Sequence, residues 1–242
     1  MRVLPLGVGD AFSARYYSSS MIVEHDGQRL LIDCPHPIRK MLKEAAPSLD
    51  LGDLLGCVLT HLHADHASGL EGLGYFTFFV HRSKMRLLVH PDVAQRLWHG
   101  HLAAGMEQLM RSADFVIEPR ELDDYFEVLP LSTEAAVQLG PFSIECRKTI
   151  HHIPTTALRI TAGGRRFAYS ADTAFDPSLI AWLEEADLVV HETNLGVHTP
   201  YEMLAALPAA TRQKMRLIHF TDFFDAAASV IPTLRQGEWV EV

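Results

Sequence analysis

The sequence predicts an α/β (α+β) fold in which short buried strands alternate with helices. Three observations predict it. The chain has 242 residues, 48% hydrophobic and 21% charged, enough for one large core. Its apolar runs are short and bounded by turn residues, as buried strands are. No repeat, low-complexity tract or linker divides it, so residues 1–242 read as a single domain with a helical insertion around 74–119.

The elements follow in order. Val3 to Gly9 is a strand running into a glycine turn. Ser18 to Glu24 and Gln28 to Asp33 form a hairpin about His25-Asp26-Gly27. Ile38 to Ala46 is a helix that Pro47 ends. Cys57-Val58-Leu59 is a buried strand, and Ala67 to Leu73 can begin a helix. Leu87 to Val89 is a strand. Pro91-Asp92 opens a helix expected to run to about Met110, with Val93, Leu97, Leu102, Met106 and Leu109 on its apolar side. His99 and His101 fall on different faces of that helix and read as solvated or packing residues. Phe126 to Leu129, Val137 to Leu139 and Phe142 to Ile150 are strands. Ala157 to Thr161 and Arg166 to Ser170 flank the hairpin signal Gly163-Gly164. Pro177 to Ala186, Pro200 to Leu207 and Pro208 to Met215 are helical; Leu188 to Val190 and Leu217-Ile218 are buried strands.

Composition removes several function classes. No apolar run approaches the roughly 20 residues of a membrane-spanning helix, and the start of the chain has no apolar signal stretch. Three cysteines without a C-x-x-C pattern read as reduced thiols of a cytoplasmic protein. A formal net charge of −9 argues against a general nucleic-acid partner, which needs a basic face to release counterions.

The chemistry concentrates in Thr60-His61-Leu62-His63-Ala64-Asp65-His66. Just past a strand, side chains two apart point the same way, so His61 and His63 can reach one metal ion. Asp65 and His66 point to a second position close by. Imidazoles with a carboxylate suit zinc, manganese or iron rather than calcium. Further along, Asp33 ends an apolar strand, where it either orients a metal ligand or caps the following helix. Cys34 reads as packing. Only one of the adjacent His151 and His152 can face the site from a strand, and periodicity alone aligns His152 with apolar Ile144, Cys146 and Ile150.

The His-x-His-x-Asp-His stretch resembles the signature of the metallo-β-lactamase superfamily. That resemblance implies a four-layer αββα sandwich with a metal site at one edge. His151-His152-Ile153-Pro154 through Arg159-Ile160 is similar to a stretch of the ribonuclease Z branch whose first histidine is the ligand, which selects His151 and leaves His152 a supporting role. Tyr169-Ser170-Ala171-Asp172-Thr173 is similar to the family's Gly-Asp-Thr, and His219 after Leu217-Ile218 matches its last ligand. The implied set is His61, His63 and His151 on one metal, Asp65, His66 and His219 on the other, and Asp172 bridging. His191-Glu192-Thr193 and His198-Thr199 are similar to that branch's His-Glu-Ala and later histidine. They make Glu192 and His198 candidates for proton donation, with a histidine ahead of the Pro200 helix as the plain reading of His198.

These parts predict two divalent metal ions, zinc first, and an enzyme that hydrolyses esters by a hydroxide shared between them, with Asp65, Glu192 and His198 as its catalytic side chains. The expected substrate is a small or cyclic nucleotide-like phosphodiester. The alternatives are a carboxylic-ester, lactone or thioester hydrolase on the same fold, and transfer-RNA 3′ processing. A di-iron reductase typically replaces the second histidine by Glu, and His63 opposes it. The 74–119 segment is expected to cover the site or to form a homodimer contact.

Overall fold

The computed structural model describes residues 1–242. β1 (Arg2–Gly7), β2 (Ser20–His25) and β3 (Gln28–Ile32) form an antiparallel meander, turning at Asp26 and Gly27 with φ of 48° and 72°. Beyond β3 the connections become parallel crossovers. α1 (Ile38–Ala45) leads into β4 (Gly56–Leu59), and α2 (Ala64–Ala67) and α3 (Leu70–Phe76) lead into β5 (Met85–Val89). α4 (Pro91–Leu97), α5 (Ala103–Met106), a hairpin of β6 (Gln108–Met110) with β7 (Ile117–Pro119), and α6 (Leu122–Tyr125) precede β8 (Phe126–Pro130), which lies parallel to β5.

The second sheet begins with four antiparallel strands, β9 (Val137–Leu139), β10 (Phe142–Lys148), β11 (Thr156–Ala162) and β12 (Arg165–Tyr169). α7 (Pro177–Leu183) then crosses to β13 (Leu188–Glu192), and α8 (Tyr201–Ala205) and α9 (Ala209–Gln213) to β14 (Met215–Ile218), both parallel additions. β15 (Val240–Glu241) returns to pair with β1. The strand orders are β15-β1-β2-β3-β4-β5-β8 and β14-β13-β12-β11-β10-β9.

The layers follow from alternation along the strands. Val3, Val23, Leu30, Val58 and Leu88 point inward and pack against Phe142, Ile144, Leu158, Ile160 and Phe167 of the second sheet. Their neighbours Leu4, Ile22, Leu31, Cys57 and Leu87 point outward and bury the apolar sides of α1, α3 and α4. On the opposite outer face, α7 contributes Leu179, Ile180 and Leu183, and Arg159 of β11 donates to the Trp182 carbonyl oxygen at 3.2 Å. This is an αββα sandwich, with strands apolar on both faces because helices cover both. All three cysteines are free and buried. No helix is long and apolar enough to cross a membrane.

Three expectations change. The helix expected from Pro91 to about Met110 is interrupted: α4 ends at Leu97, Trp98–Leu102 form a π-helical turn around Gly100, and Gln108–Met110 is a strand. Glycine at the centre of the turn lowers the cost of widening it. The β6–β7 turn is then closed by Arg111, which donates to Asp114 and Glu118. The strand expected from Phe142 to Ile150 stops at Lys148, so His151 and His152 lie in a loop, where strand alternation does not apply. The helix expected at Ala67 begins at Ala64 and pauses at Ser68-Gly69. There the chain must approach residues 34–35: Gly69 N donates to the Cys34 oxygen at 2.7 Å, and a Cβ on Gly69 would sit 2.6 Å from the Pro35 oxygen.

Phe142 is fully buried between the sheets. Phe142→Ala is expected to lower unfolding free energy by about 3–5 kcal/mol, measured by chemical denaturation. A loss below about 1 kcal/mol would mean that the sheets do not close on this ring.

Candidate metal centre and its comparison with known proteins

Parallel strands bring their carboxyl ends to one edge, which is where open α/β sheets collect ligands. Asp33 follows β3, His61 follows β4, Asp172 follows β12 and His219 follows β14. The two sheets are tied there, since Thr156 N donates to the Thr60 oxygen (3.2 Å) and His219 N to the Val8 oxygen (2.8 Å). Two of these residues, Asp33 (φ 57°) and His219 (60°), and Ala171 (50°) just ahead of Asp172, are left-handed without being glycine. Such conformations cost on the order of 1–3 kcal/mol each and persist where surrounding structure enforces them.

Two groups of donors result, joined by one carboxylate. In the first, His61 Nε2 lies 3.1 Å from His63 Nδ1 and 3.5 Å from Asp172 Oδ2. His151 Nε2 lies 3.3 Å from His63 Nδ1 and 3.9 Å from Asp172 Oδ2. In the second, Asp65 Oδ2 lies 3.1 Å from His219 Nε2 and 3.5 Å from His66 Nε2. Asp172 Oδ1 faces this group, 3.3 Å from His66 Nε2 and 3.7 Å from His219 Nε2. In each group the ligand-type atoms converge tightly enough for one ion.

Asp33 explains why these nitrogens point inward. Fully buried, its carboxylate can only accept, and it does so from Thr60 N (2.8 Å), Thr60 Oγ1 (2.9 Å) and His66 Nδ1 (2.8 Å). Thr60 Oγ1 donates to Asp33 and so accepts from His61 Nδ1, 2.9 Å away. Both rings therefore carry a proton on Nδ1 and turn Nε2 to the site, where a metal ion would take the place of any second proton. Asp33 does not cap α1, whose cap is Pro37. Thr60 is a partner that motif reading passes over. Its signal is a polar residue at the end of a buried strand.

Charge in the cluster is divided. Burial pushes His61 down to about 3 and His151 to about 4. Burial also acts on His66 and His219, but facing carboxylates more than reverse it: Asp172 and Asp33 hold His66 well above the ordinary histidine value, and Asp172 and Asp65 bring His219 up to about 9. Burial raises Asp172, yet His219 and His66 hold it well below the carboxylate range. This edge favours cations. His66 Nε2 and Asp172 Oδ1 are buried and make no hydrogen bond, a cost of roughly 1–3 kcal/mol each unless something binds them. Imidazole and carboxylate donors in these groupings fit a divalent transition metal.

Beside the centre, Glu192 is buried at the end of β13 and accepts from Thr173 N (2.8 Å) and His198 Nδ1 (2.9 Å) through Oε1. His198 is half-buried, with Nδ1 4.0 Å from Asp172 Oδ2. Burial lowers its pKa, and the hydrogen bond and charge of Glu192 together with the charge of Asp172 outweigh that, for a net rise. Thr199 Oγ1 donates to the Thr173 oxygen, and Asn194 Nδ2 donates to Asp10 and to the His219 oxygen. Asn194 and Asp10 carry no recognisable motif. His152 stands outside the cluster, exposed, with Nε2 2.9 Å from His63 Nε2. His99 is exposed, and His101 Nε2 lies 3.3 Å from the Ala67 oxygen. Neither enters the centre.

Residues 1–237 match the family described as Anti-Pycsar protein Apyc1. The chain belongs to this family. A protein of that name from Bacillus phage 010DV004 is 33% identical over 236 residues, covering 92% of this chain and 90% of its own. Another from Saccharibacillus brassicae is 30% identical over 231 residues, with 92% and 90% covered. Among solved structures, the metallo-β-lactamase fold protein YhfI from Bacillus subtilis superposes with a TM-score of 0.78 at 20% identity, covering 99% of both chains. The short form of human tRNase Z does so with 0.71 at 19% identity, covering 100% of this chain and 99% of its own. The fold is thus that of the metallo-β-lactamase superfamily, and this member of the Anti-Pycsar family is a metal-dependent hydrolase.

The loop position of His151 and His152 sharpens one expectation. His151→Ala is expected to weaken metal binding and abolish turnover, because it removes a donor from the first group. His152→Ala is expected to cost on the order of 10–100-fold at most, by freeing His63 Nε2. Parallel metal titrations and turnover assays check this, and the reverse ranking would exchange the two roles.

Proposed function

We propose that the chain hydrolyses a small nucleotide-like phosphodiester, cyclic ones included, using two divalent ions, zinc first among them. His61, His63 and His151 would hold one ion, Asp65, His66 and His219 the other, and Asp172 would touch both. The observation that carries the phosphodiester reading is the Glu192–His198 pair, whose His198 Nδ1 lies 4.0 Å from Asp172 Oδ2. A sugar alkoxide is a poor leaving group, and a protonated His198 held by Glu192 would donate to it as it departs.

When bound, the ions supply Lewis acidity and a water acidic enough to attack at neutral pH. The remaining work belongs to side chains. Asp33, directly and through Thr60, holds the His66 and His61 rings in one tautomer, so the centre is preorganised. Asp172 divides its two oxygens between the two groups and so sets their separation. Glu192 binds His198 Nδ1–H, which steadies the imidazolium and leaves Nε2 to pass its proton to the departing oxygen. Asp65 offsets positive charge beside His219. A large RNA is disfavoured as substrate by the net charge of −9.

A hydrolysis panel with the metal-loaded protein tests this reading. It includes bis-p-nitrophenyl phosphate, cyclic nucleotides, a lactone, a thioester and a transfer-RNA precursor. Diester hydrolysis is expected. Lactone or thioester turnover without diester turnover would replace the reading by the carboxylic-ester one. His198→Ala is expected to spare bis-p-nitrophenyl phosphate, whose leaving group needs no proton, and to slow an unactivated diester by roughly 10²–10⁴. Equal losses on both would remove the proton-donor role.

A further inference from the structure

Three of the buried imidazoles at the centre, His61, His66 and His219, turn Nε2 toward it, and two of them are held from behind. His61 Nδ1 meets Thr60 and His66 Nδ1 meets Asp33. His219 presents Nε2 to Asp65 at 3.1 Å, but its Nδ1 is buried and makes no hydrogen bond. A histidine that binds a metal almost always donates its other ring N–H to a carboxylate, a carbonyl or water. His219 therefore calls for an acceptor at Nδ1.

One acceptor faces it. Glu192 Oε2 lies 3.9 Å from His219 Nδ1 and is itself buried without a hydrogen bond. A donor and an acceptor, both enclosed and both unmet, thus face each other across a gap about 1 Å longer than a hydrogen bond spans. A small rotation of either side chain closes it. The other oxygen of the same carboxylate is already engaged, since Oε1 accepts from Thr173 N (2.8 Å) and His198 Nδ1 (2.9 Å). The His198 and His219 rings lie 5.3 Å apart and are inclined by only 30°, so one carboxylate can reach Nδ1 of both.

We propose that Glu192 is the positioning residue of His219 as well as of His198, its Oε2 orienting the imidazole that would hold the second ion. The inference rests on the reading of His219 as a metal ligand and adds the support that this ring otherwise lacks. Asn194 Nδ2 donates to the His219 oxygen at 3.1 Å, which fixes the main chain and leaves the ring to Glu192. One side chain then sets both the proton donor and the second metal position.

Glu192→Gln separates the two duties. Thr173 N and His198 Nδ1 both donate to Oε1, so the amide oxygen takes that place and the amide NH2 takes the place of Oε2. The NH2 then faces the His219 Nδ1–H, donor against donor. His198→Ala does the reverse, removing the other ring and leaving Oε2 where it is.

The experiment titrates the metal-loaded full chain with a chromophoric chelator, for wild type, Glu192→Gln, His198→Ala and His219→Ala, with circular dichroism to establish folding. Cobalt-loaded samples add a visible spectrum that reads ligand geometry. Glu192→Gln is expected to hold one ion as the wild type does and the other on the order of 10–100-fold more weakly, with an altered cobalt spectrum. His198→Ala is expected to hold both ions as the wild type does. Wild-type affinities and spectrum in Glu192→Gln would overturn the proposal, as would equal losses in Glu192→Gln and His198→Ala. A measurement on the zinc-loaded wild type needs no Glu192 variant. The His219 Nδ1 proton, assigned by its absence in His219→Ala, is expected as a downfield magnetic-resonance signal slow to exchange, and free exchange with water would overturn the proposal. Failure of the ligand reading appears separately, as a His219→Ala protein that keeps both ions.

Discussion

Everything at the active edge depends on one buried carboxylate facing two ways. Asp172 Oδ2 meets His61 and His151, while Asp172 Oδ1 meets His66 and His219. An acid buried this deeply is tolerated only when opposite charge surrounds it. The histidines supply that charge by holding protons, or cede it to metal ions. The fold then has to deliver residues from distant parts of the chain to within about 4 Å of Asp172, and it does so by ending parallel strands at a common edge. The left-handed backbone at Asp33, Ala171 and His219 turns each strand end so that its side chain reaches the edge.

The same constraint organises the surroundings. Asp33 is the single acceptor that fixes His66 directly and His61 through Thr60. Glu192 ties the Asp172 strand end, through Thr173 N, to the His198 loop. Asn194 ties that loop to the His219 carbonyl and to Asp10. Perturbing one strand end therefore reaches the others through hydrogen bonds rather than through the core.

The sequence made most of the sandwich legible because strands buried on both faces read as short continuous apolar runs that end at recognisable turns. The His61–His66 run was legible because its spacing alone brings donors together. What was not legible depended on long-range geometry. Nothing local says that Trp98–Leu102 widens into a π-helical turn, or that β10 stops before His151. His198 stands only six residues beyond Glu192, a gap that motif comparison makes hard to read. The loop closes it with Thr193 Oγ1 and Asn194 N on the Thr199 oxygen and with Gly196 at φ 74°.

The most direct test of this account is the metal content of Asp172→Ala against the wild type. Both proteins are prepared without chelators and compared by elemental analysis, with circular dichroism to establish that the variant is folded. If Asp172 joins the two groups, the wild type carries close to two transition-metal ions per chain and the folded variant loses most of both. A folded variant that keeps its full complement would contradict the shared carboxylate on which the site is built.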